Sequence, residues 1–378
     1  MDVKKIAIFI NSLESGGAER VVSNLLNLWS KEYDCYLILI HNYKFYELDK
    51  RVKIISLEEP KELSGFVKLL RLPILAYKLS KIIQENKFDK VISFLTRANY
   101  INVLSNIFIK HQTIINERAM PSLQYQYGLN GKINRFLIKS LYPKADLCLS
   151  NSYGNMMDLK NNFKVTNLDY INNPFNLEII EIMSKHKIEI EKKRFTFITV
   201  GRLDHGKNHR LIIDAIKDID ADLWIIGDGE LREELQNYIK ELNFNDKVYL
   251  LGKKENPFAY ISKADYFVFA SNHEGFPNVL IEALACGLPI ISTDCQSGPR
   301  EILALNSDVS FQLKDKIELA EYGVLAPIKN VGKLKEAMDL MINDEQIRTN
   351  YKEKAKQRAN DFRIDKIIKQ YEEIICVE

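Results

Sequence analysis

Two glutamates, Glu274 and Glu282, flank the segment E-G-F-P-N-V-L-I-E and have the surroundings of a phosphate and sugar site. The apolar run 266–270 before them is typical of a buried strand, and Pro277 suits the first position of the following helix. Free N–H groups and the helix dipole favour a phosphate there. Glu274 would then meet a group near the phosphate, and Glu282 would reach a sugar hydroxyl. The alternative is an ordinary strand, turn and core helix with a solvated Glu282.

Arg202 and Lys207 supply the positive charge that such a site needs. They lie in V-G-R-L-D-H-G-K-N, directly after the apolar run 195–200. A guanidinium presents a planar fork of donors and an ammonium presents a point charge, a pair that stabilises a departing diphosphate. On composition alone, the alternative is an exposed loop with two solvated cations.

Gly16 and Gly17, in E-S-G-G-A-E-R, follow the strand-like run 6–10. Two glycines let the backbone approach a ligand closely, and the helix predicted from about Ala18 would present its N-terminus to that ligand. A simple strand-to-helix turn is the alternative. Because the motif lacks G-x-G-x-x-G spacing, it argues against NAD or FAD.

A metal site is not expected. Asp218, Asp220 and Asp222 imitate a metal-binding D-x-D motif, but they precede a predicted strand and so lie at the wrong end of the sheet for a ligand. The six histidines show no ligand spacing with carboxylates or cysteines. The aspartates are therefore interpreted as structural or solvated.

Strand-like runs alternate with helical periodicity, which predicts parallel α/β construction, and 378 residues fit two domains. The first series comprises the runs 6–10, 35–40, 52–57, 91–95, 113–115 and 147–150, and the second comprises 195–200, 223–226, 248–251, 266–270 and 290–293. The charged stretch 178–193 between them indicates a connection between domains. Because open α/β sheets bind ligands beyond the carboxyl ends of their strands, we expect the candidate motifs to line a cleft.

The charge distribution points to an anionic partner of the first domain. The net charge is only +2, yet residues 44–144 carry 18 basic and 8 acidic side chains, a local excess of +10. Within 61–81, Lys68, Arg71, Lys78 and Lys81 interrupt an apolar helical pattern, which suits an anionic membrane surface or a pyrophosphate-linked lipid. The alternative is the solvated face of a packed helix. No nucleic-acid motif accompanies the charge.

The cysteines and the apolar runs indicate a cellular compartment. The five cysteines are scattered and have no C-x-x-C spacing, which is typical of buried thiols in a cytoplasmic protein. No leader sequence and no apolar run of about 18 residues stands out. We therefore expect a cytoplasmic protein that is at most peripheral on the inner membrane.

The segment E-G-F-P-N-V-L-I-E resembles the E-x7-E signature of glycosyltransferase family 4, whose members are retaining enzymes with the GT-B fold of two Rossmann-like parallel-sheet domains. G-G-A-E, an interdomain N-P and G-R-L-x-x-x-K-N match the family in the same order. The resemblance implies an acceptor domain at 1–176, a linker at 177–192 and a donor domain at 193–361. It also implies a terminal helix, 362–378, that crosses back onto the first domain.

The same resemblance implies roles for particular residues. Arg202 and Lys207 would stabilise the leaving diphosphate, Glu274 would lie by the donor sugar, and Glu282 would bind the nucleotide ribose. The residues that would approach the donor phosphates through their backbone are Gly16, Gly17, Gly275, Phe276, Asn278 and Val279.

Two further segments are compared with the family. S-G-P-R-E-I-L, residues 297–303, resembles a glycine-rich turn of capsule and O-antigen members, and a plain strand-to-helix turn is the alternative. Many members carry a histidine beside the donor sugar where this chain has Arg118. We therefore expect Glu117 and Arg118, rather than a histidine, on the acceptor side.

Together these inferences predict a metal-independent, retaining glycosyltransferase that uses a UDP-hexose or UDP-N-acetylhexosamine and no cofactor. The acceptor would be a growing bacterial surface glycan, as in capsule or lipopolysaccharide, or a glycan on a polyprenyl diphosphate lipid. Catalysis would depend on Glu274, Arg202 and Lys207, and no side chain stands out as a covalent nucleophile. The alternatives are a UDP-sugar epimerase and a nucleotide-sugar-binding protein without transferase activity.

Overall fold

A computed structural model describes residues 4–14 and 16–376. Its described residues form two compact units, one running up to Asn173 and resuming at Gln370, the other spanning Pro174–Lys369. The stretch predicted as a linker, 177–192, lies within the second unit, and its first part forms a helix.

The first unit contains a seven-stranded parallel sheet in the order β3-β2-β1-β4-β5-β6-β7. Its strands are β1 Lys5–Ile10, β2 Asp34–Leu39, β3 Lys53–Ser56, β4 Lys90–Phe94, β5 Gln112–Glu117, β6 Leu147–Ser150 and β7 Leu168–Tyr170. Each predicted run of this series forms a strand, with ends that differ by a few residues at most. The strand order reverses between β1 and β4, which is where open α/β sheets bind ligands.

Helices connect these strands, as is usual for parallel pairing, except between β2 and β3, where segment 40–52 contains no helix. They are α1 Gly17–Trp29, α2 Gly65–Leu70, α3 Leu72–Asn86, α4 Thr96–Ser105, α5 Pro121–Gln124, α6 Gly128–Leu141 and α7 Tyr153–Phe163. The inner strands β1, β2, β4, β5 and β6 are buried on both faces, so their sequences are continuous apolar runs rather than alternating ones. The edge strands β3 and β7 are partly exposed.

The second unit repeats this plan, in the order β10-β9-β8-β11-β12-β14-β13. Its strands are β8 Thr196–Val200, β9 Asp222–Ile226, β10 Val248–Gly252, β11 Tyr266–Phe269, β12 Ile290–Thr293, β13 Glu318–Leu319 and β14 Val324–Ala326. The first five were predicted, whereas β13 and β14 were missed; β13 pairs antiparallel to β14 at the edge of the sheet. Here the order reverses between β8 and β11.

The helices of the second unit include the long pair that follows the sheet. They are α8 Leu177–Ser184, α9 His209–Ala215, α10 Arg232–Glu241, α11 Pro257–Ile261, α12 Asn278–Ala285, α13 Pro299–Leu303, α14 Val331–Asn343 and α15 Glu345–Ala359.

The last helix, α16 Ile364–Cys376, begins in the second unit and contributes its residues from Gln370 onward to the first. In the first unit, the rings of Tyr371 and Trp29 pack edge to face with centroids 6.3 Å apart. The indole N–H of Trp29 donates to Glu372 at 3.2 Å. An aromatic pair and a hydrogen bond therefore attach the end of α16 to α1.

The aspartates that imitate a D-x-D motif form ion pairs. Asp222 is buried and accepts from Nε of Arg194 at 2.6 Å, while Asp220 lies 3.4 Å from the same guanidinium. Asp218 lies 2.9 Å from Nζ of Lys335. A structural role accounts for these three carboxylates.

Cys35, Cys148 and Cys295 are buried free thiols, and Cys286 is half-buried. The side chain of Cys376, the fifth, lies outside the described residues. Across residues 4–14 and 16–376, no helix combines the length and apolar character needed to cross a membrane.

Candidate functional site

The loops after β8 and β11 carry the predicted charged residues of the second unit. β8 and β11 are neighbours in the sheet and flank the point where the strand order reverses. The loop 201–208 contains Arg202 and Lys207, and the loop 270–277 contains Glu274. In open α/β sheets this position is the one at which ligands bind. The topology therefore brings the two sequence motifs to one place.

Lys207 and Glu274 form an ion pair across these loops. Nζ of Lys207 lies 2.5 Å from Oε1 of Glu274, and the two side chains are 29% and 11% exposed. The ammonium also lies 5.6 Å from the ring centroid of Phe269, and the amide of Lys207 donates to Asp204 at 3.0 Å. Because a half-buried ion pair is screened less than an exposed one, the carboxylate holds the ammonium in a defined position.

Arg202 presents its guanidinium to solvent. Its side chain is 77% exposed, and its nearest carboxylate, that of Asp204, is 3.9 Å from Nε. An exposed guanidinium offers several donors to a phosphate group. That Arg202 and Lys207 serve one anion stays a prediction.

Close backbone contact fixes the loop that carries these cations. Gly227, which follows β9, has φ +146°, and a Cβ atom there would lie 1.8 Å from the carbonyl oxygen of Gly201. Only glycine fits a position where two backbones approach so closely. The end of β9 therefore supports the start of the loop 201–208.

The helix after Glu274 starts one residue later than predicted. α12 begins at Asn278, and Pro277 is its N-cap, with extended ψ of 92°. The prediction that Pro277 is the first helical residue is thus wrong by one position. The amides of Asn278 and Val279 lie in the first turn, where N–H groups lack intrahelical acceptors. Phe276 is buried and packs on Phe362, so its side chain anchors the loop.

Glu282 is a buried carboxylate in the second turn of α12. It is only 5% exposed, which rules out the alternative of a solvated surface side chain. Burial of a carboxylate is costly unless polar groups compensate it. Its role toward a ribose stays a prediction.

The segment S-G-P-R-E-I-L supports the loop that begins at Glu274. The hydroxyl of Ser297 donates to the carbonyl of Gly275 at 2.8 Å. Gly298 has φ +94°, and a Cβ atom there would lie 2.2 Å from Cδ of Pro277. Arg300 is buried and lies 2.7 Å from Asp294. The turn that begins at Ser297 thus supports the loop 270–277. The residue spacing of the motif did not indicate this role.

His209 is a site-supporting residue that the sequence analysis missed. It is 3% exposed at the start of α9, and its Nε2 lies 3.2 Å from the carbonyl oxygen of Arg202. Burial lowers the pKa of His209 to about 4, so the ring is neutral at physiological pH. The sequence does not indicate this contact between His209 and the loop 201–208, because it depends on how the loop packs against α9.

We expect the titration of His209 to weaken folding at acidic pH. The unfolded chain binds a proton below its ordinary pKa of about 6.5, whereas the folded chain does so only below about 4. Stability attributable to this residue is therefore complete above pH 6.5 and is lost as the pH falls toward 4, by roughly 2–3 kcal/mol. Urea unfolding at pH 7 and pH 4.5 measures the loss, and His209→Gln should show a smaller one. An equal loss in both proteins would contradict this assignment.

In the first unit, Gly16 and Gly17 stand at the start of α1. Gly16 is the N-cap, and a Cβ atom there would lie 2.1 Å from a carboxylate oxygen of Glu19. The hydroxyl of Tyr46 donates to the carbonyl of Gly16 at 3.2 Å. The motif's Ser15 lies outside the described residues. The glycine turn is thus defined, and its contact with a diphosphate stays a prediction.

Glu117 and Arg118 are engaged inside the first unit. Glu117 is 2% exposed and accepts from the hydroxyls of Tyr142 at 2.6 Å and Thr96 at 3.2 Å, and burial raises its pKa. Arg118 donates to the hydroxyl of Tyr371 at 3.3 Å and to Asn173. The carboxylate of Glu117 is therefore not presented to solvent, and an acceptor contact by either residue stays a prediction.

Two seven-stranded α/β units with these strand orders constitute the GT-B fold. The structure is similar to that of sucrose-phosphate synthase from Thermosynechococcus elongatus, with a TM-score of 0.82, 16% identity and 98% of each chain covered. It is also similar to Anabaena HepE in complex with UDP, with a TM-score of 0.77, 16% identity, and coverage of 98% of this chain and 99% of that one.

Sequence comparison defines the family. Residues 181–358 match the model for glycosyl transferases group 1. Over 367 residues the chain is 39% identical to the N-acetylgalactosamine-N,N'-diacetylbacillosaminyl-diphospho-undecaprenol 4-alpha-N-acetylgalactosaminyltransferase of Campylobacter jejuni, covering 95% of this chain and 96% of that protein. A second C. jejuni protein, a diNAcBac-PP-undecaprenol-glycan alpha-1,4-N-acetyl-D-galactosaminyltransferase, is 31% identical, with 98% of both covered. The chain belongs to the group 1 glycosyl transferases and is a glycosyltransferase.

Proposed function

We propose that this glycosyltransferase moves an N-acetylhexosamine, foremost N-acetylgalactosamine, from its UDP-sugar to a glycan on a polyprenyl diphosphate lipid, with retention at the anomeric carbon. The names of the two C. jejuni relatives, which include an N-acetylgalactosaminyl group and an undecaprenol diphosphate acceptor, support the sugar and the acceptor. The observation that carries the donor assignment is the Lys207–Glu274 pair at the strand-order reversal of the second unit.

The chemistry follows from the charges at that position. Cleavage of the bond between the sugar and UDP leaves negative charge on the β-phosphate. The ammonium of Lys207, fixed by Glu274, and the exposed guanidinium of Arg202 would stabilise that charge, which is where preorganised donors have their largest effect. The amides at the start of α12 would add the positive end of a helix.

A same-face reaction accounts for retention in this proposal. Glu274 is the carboxylate beside Lys207 that could act as a covalent nucleophile. Because this carboxylate is paired with the ammonium of Lys207, it is a poor nucleophile. The leaving phosphate oxygen would then accept the proton of the acceptor hydroxyl as the new glycosidic bond forms. The resemblance to family 4 supports retention, and no metal is assigned to the reaction.

We also propose that the first unit contacts a membrane through α2 and α3. The helical pattern within 61–81 forms two helices that meet at Arg71, whose guanidinium is turned inward to Glu59 at 2.8 Å. Lys78 likewise donates inward, to the carbonyl of Leu57 at 3.1 Å. The exposed side chains here include Phe66, at 70%, and Leu70, at 60%, beside the exposed Lys61, Lys78 and Lys81. Membrane contact would therefore combine apolar insertion with the charges that remain exposed.

Transfer from a panel of UDP-sugars to a synthetic polyprenyl diphosphate N-acetylhexosamine tests the proposal. We expect turnover of UDP-N-acetylgalactosamine and an α-linked product in the NMR spectrum. A β-linked product, or a glycosyl adduct trapped on the protein, would contradict retention without a nucleophile. Interconversion of UDP-sugars without an acceptor would indicate an epimerase instead.

Phosphatidylglycerol vesicles test the membrane contact separately. Vesicles that neither sediment the protein nor change its rate of transfer would contradict that contact.

A further inference from the structure

A pocket of about 400 Å³ opens in the first unit beside the carboxyl end of β4. It lies among α2, the start of α3, α4 and α6, and its lining is mostly apolar. The apolar lining includes Phe66, Leu69, Leu72, Leu129, Ile133 and Leu137. The size is that of a ligand pocket, for which about 300–1,000 Å³ is typical. None of the residues assigned to the donor lines it.

One end of this pocket is positively charged. Arg97, in the first turn of α4, binds the buried carboxylate of Glu59, which also accepts from Arg71 at 2.8 Å. Two guanidinium groups thus share one carboxylate, which leaves a net positive charge. Lys68, half-buried, also lines the pocket. Because the N-terminus of α4 adds its dipole, this end favours an anion.

Arg97 has an unfilled donor in that position. Among the residues that the structure describes, Nε of Arg97 is buried and has no hydrogen-bond partner. Buried donors without partners are rare in folded proteins and call for an explanation. Because Arg97 lines the pocket, an anionic group bound there would supply a partner once the guanidinium turned toward it.

The backbone beside this end adopts a conformation that is rare for its residue type. Leu95, the N-cap of α4, has φ +73° and ψ 146°, although leucine strongly disfavours positive φ. Such conformations persist where the surrounding structure imposes them, and they cluster at ligand sites. Here the turn sets the positions of Thr96 and Arg97 at the mouth of the pocket.

An apolar pocket with one cationic end fits an amphiphile that has an anionic head. We propose that it holds the first isoprene units of the polyprenyl diphosphate acceptor, with the diphosphate at Arg97 and Lys68. This inference rests on the proposed acceptor class and goes beyond it, because it assigns the lipid part of the acceptor to a pocket in the protein. The exposed side chains of Phe66 and Leu129, which are 70% and 75% exposed, would cover the chain where it leaves the pocket.

Binding of farnesyl diphosphate to the full chain tests the proposal by calorimetry. We expect it to bind at least 10-fold more tightly than either farnesol or inorganic diphosphate, since each carries only half of the recognised features. Ile133→Trp, which fills the pocket, should weaken binding at least 10-fold, and Arg97→Met should remove the preference for farnesyl diphosphate over farnesol.

The matched control is Phe136→Ala, because Phe136 lies on the same helix α6, is 68% exposed and does not line the pocket. It should leave binding unchanged. Urea unfolding of each variant, followed by circular dichroism, reports whether the first unit is still folded. Equal affinities for farnesyl diphosphate and inorganic diphosphate, or equal weakening by Ile133→Trp and Phe136→Ala, would overturn the pocket assignment.

The same variants separate this proposal from the function on which it rests. Glycosyl transfer to a lipid-linked acceptor that is unaffected by Ile133→Trp would retain the function and overturn the pocket. Farnesyl diphosphate bound in a manner sensitive to Ile133→Trp, without transfer to any lipid-linked acceptor, would support the pocket and contradict the function.

Discussion

Replacing Lys207 with alanine should lower the turnover of the donor sugar by about 10²–10³-fold. The reason is that its ammonium, held 2.5 Å from Glu274, is fixed where the leaving diphosphate would develop charge. A fixed donor need not be reoriented during the reaction, so its loss acts on kcat more than on KM. Steady-state transfer kinetics with UDP-N-acetylgalactosamine measure both constants. Circular dichroism should show an intact fold.

Two further variants distinguish a leaving-group role of Lys207 from a role in positioning Glu274. Lys263→Ala removes an exposed cation that precedes β11, at the amino ends of the strands and away from the candidate site at their carboxyl ends. It should leave kcat unchanged. Glu274→Gln breaks the same ion pair but keeps the ammonium, so it should lower kcat less than Lys207→Ala does. If both variants of the pair lower kcat equally, Lys207 acts only by positioning Glu274, and the proposed leaving-group role is wrong.

The strands were predictable because parallel strands covered on both faces appear as continuous apolar runs. Eleven of the fourteen strands lie in or beside such runs, and parallel α/β construction follows from their alternation with helices, whereas the GT-B class came from the family resemblance. β7, β13 and β14 were not predicted because they contain only two or three residues. Strands this short carry no periodic signal, and their pairing is decided by the sheet edge they complete.

Part of the candidate site could also be predicted. Arg202, Lys207 and Glu274 were each assigned from motifs that follow strands, but their proximity depends on β8 and β11 being neighbours. The number of residues between two motifs does not show whether their strands are neighbours, whereas the strand order of the sheet does. The motifs therefore supplied the candidate residues, and the topology brings Lys207 and Glu274 together.

Burial was the property that the sequence did not disclose. Glu282, Glu117 and His209 are polar residues whose surroundings come from distant segments, and each is 5% exposed or less. A sequence motif does not indicate whether the carboxylate it contains lies in solvent or in the core. Likewise, the cations of 61–81 appeared to form one face, but Arg71 and Lys78 bond inward because Glu59 and a strand-end carbonyl lie beneath them.

Gly298→Ala should cost on the order of 3 kcal/mol in the free energy of unfolding and lower the affinity for UDP at least 10-fold. Its φ of +94° is strained for any residue with a side chain, and the new Cβ atom would lie 2.2 Å from Cδ of Pro277. Relief of that overlap must displace either the turn at Ser297 or the loop that carries Glu274. Urea unfolding and calorimetric titration with UDP measure the two effects.

The matched control is Gly332→Ala, in the first turns of α14, where the nearest atom to the new Cβ would be an oxygen of Asn330 at 3.7 Å. Because alanine is the better helix former, the control should be as stable as the parent protein or more stable by up to about 1 kcal/mol. Loss of stability in Gly298→Ala with unchanged UDP affinity would show that the turn is only structural. Loss of both, with neither effect in the control, would place the turn among the elements that hold the donor loop in its binding conformation.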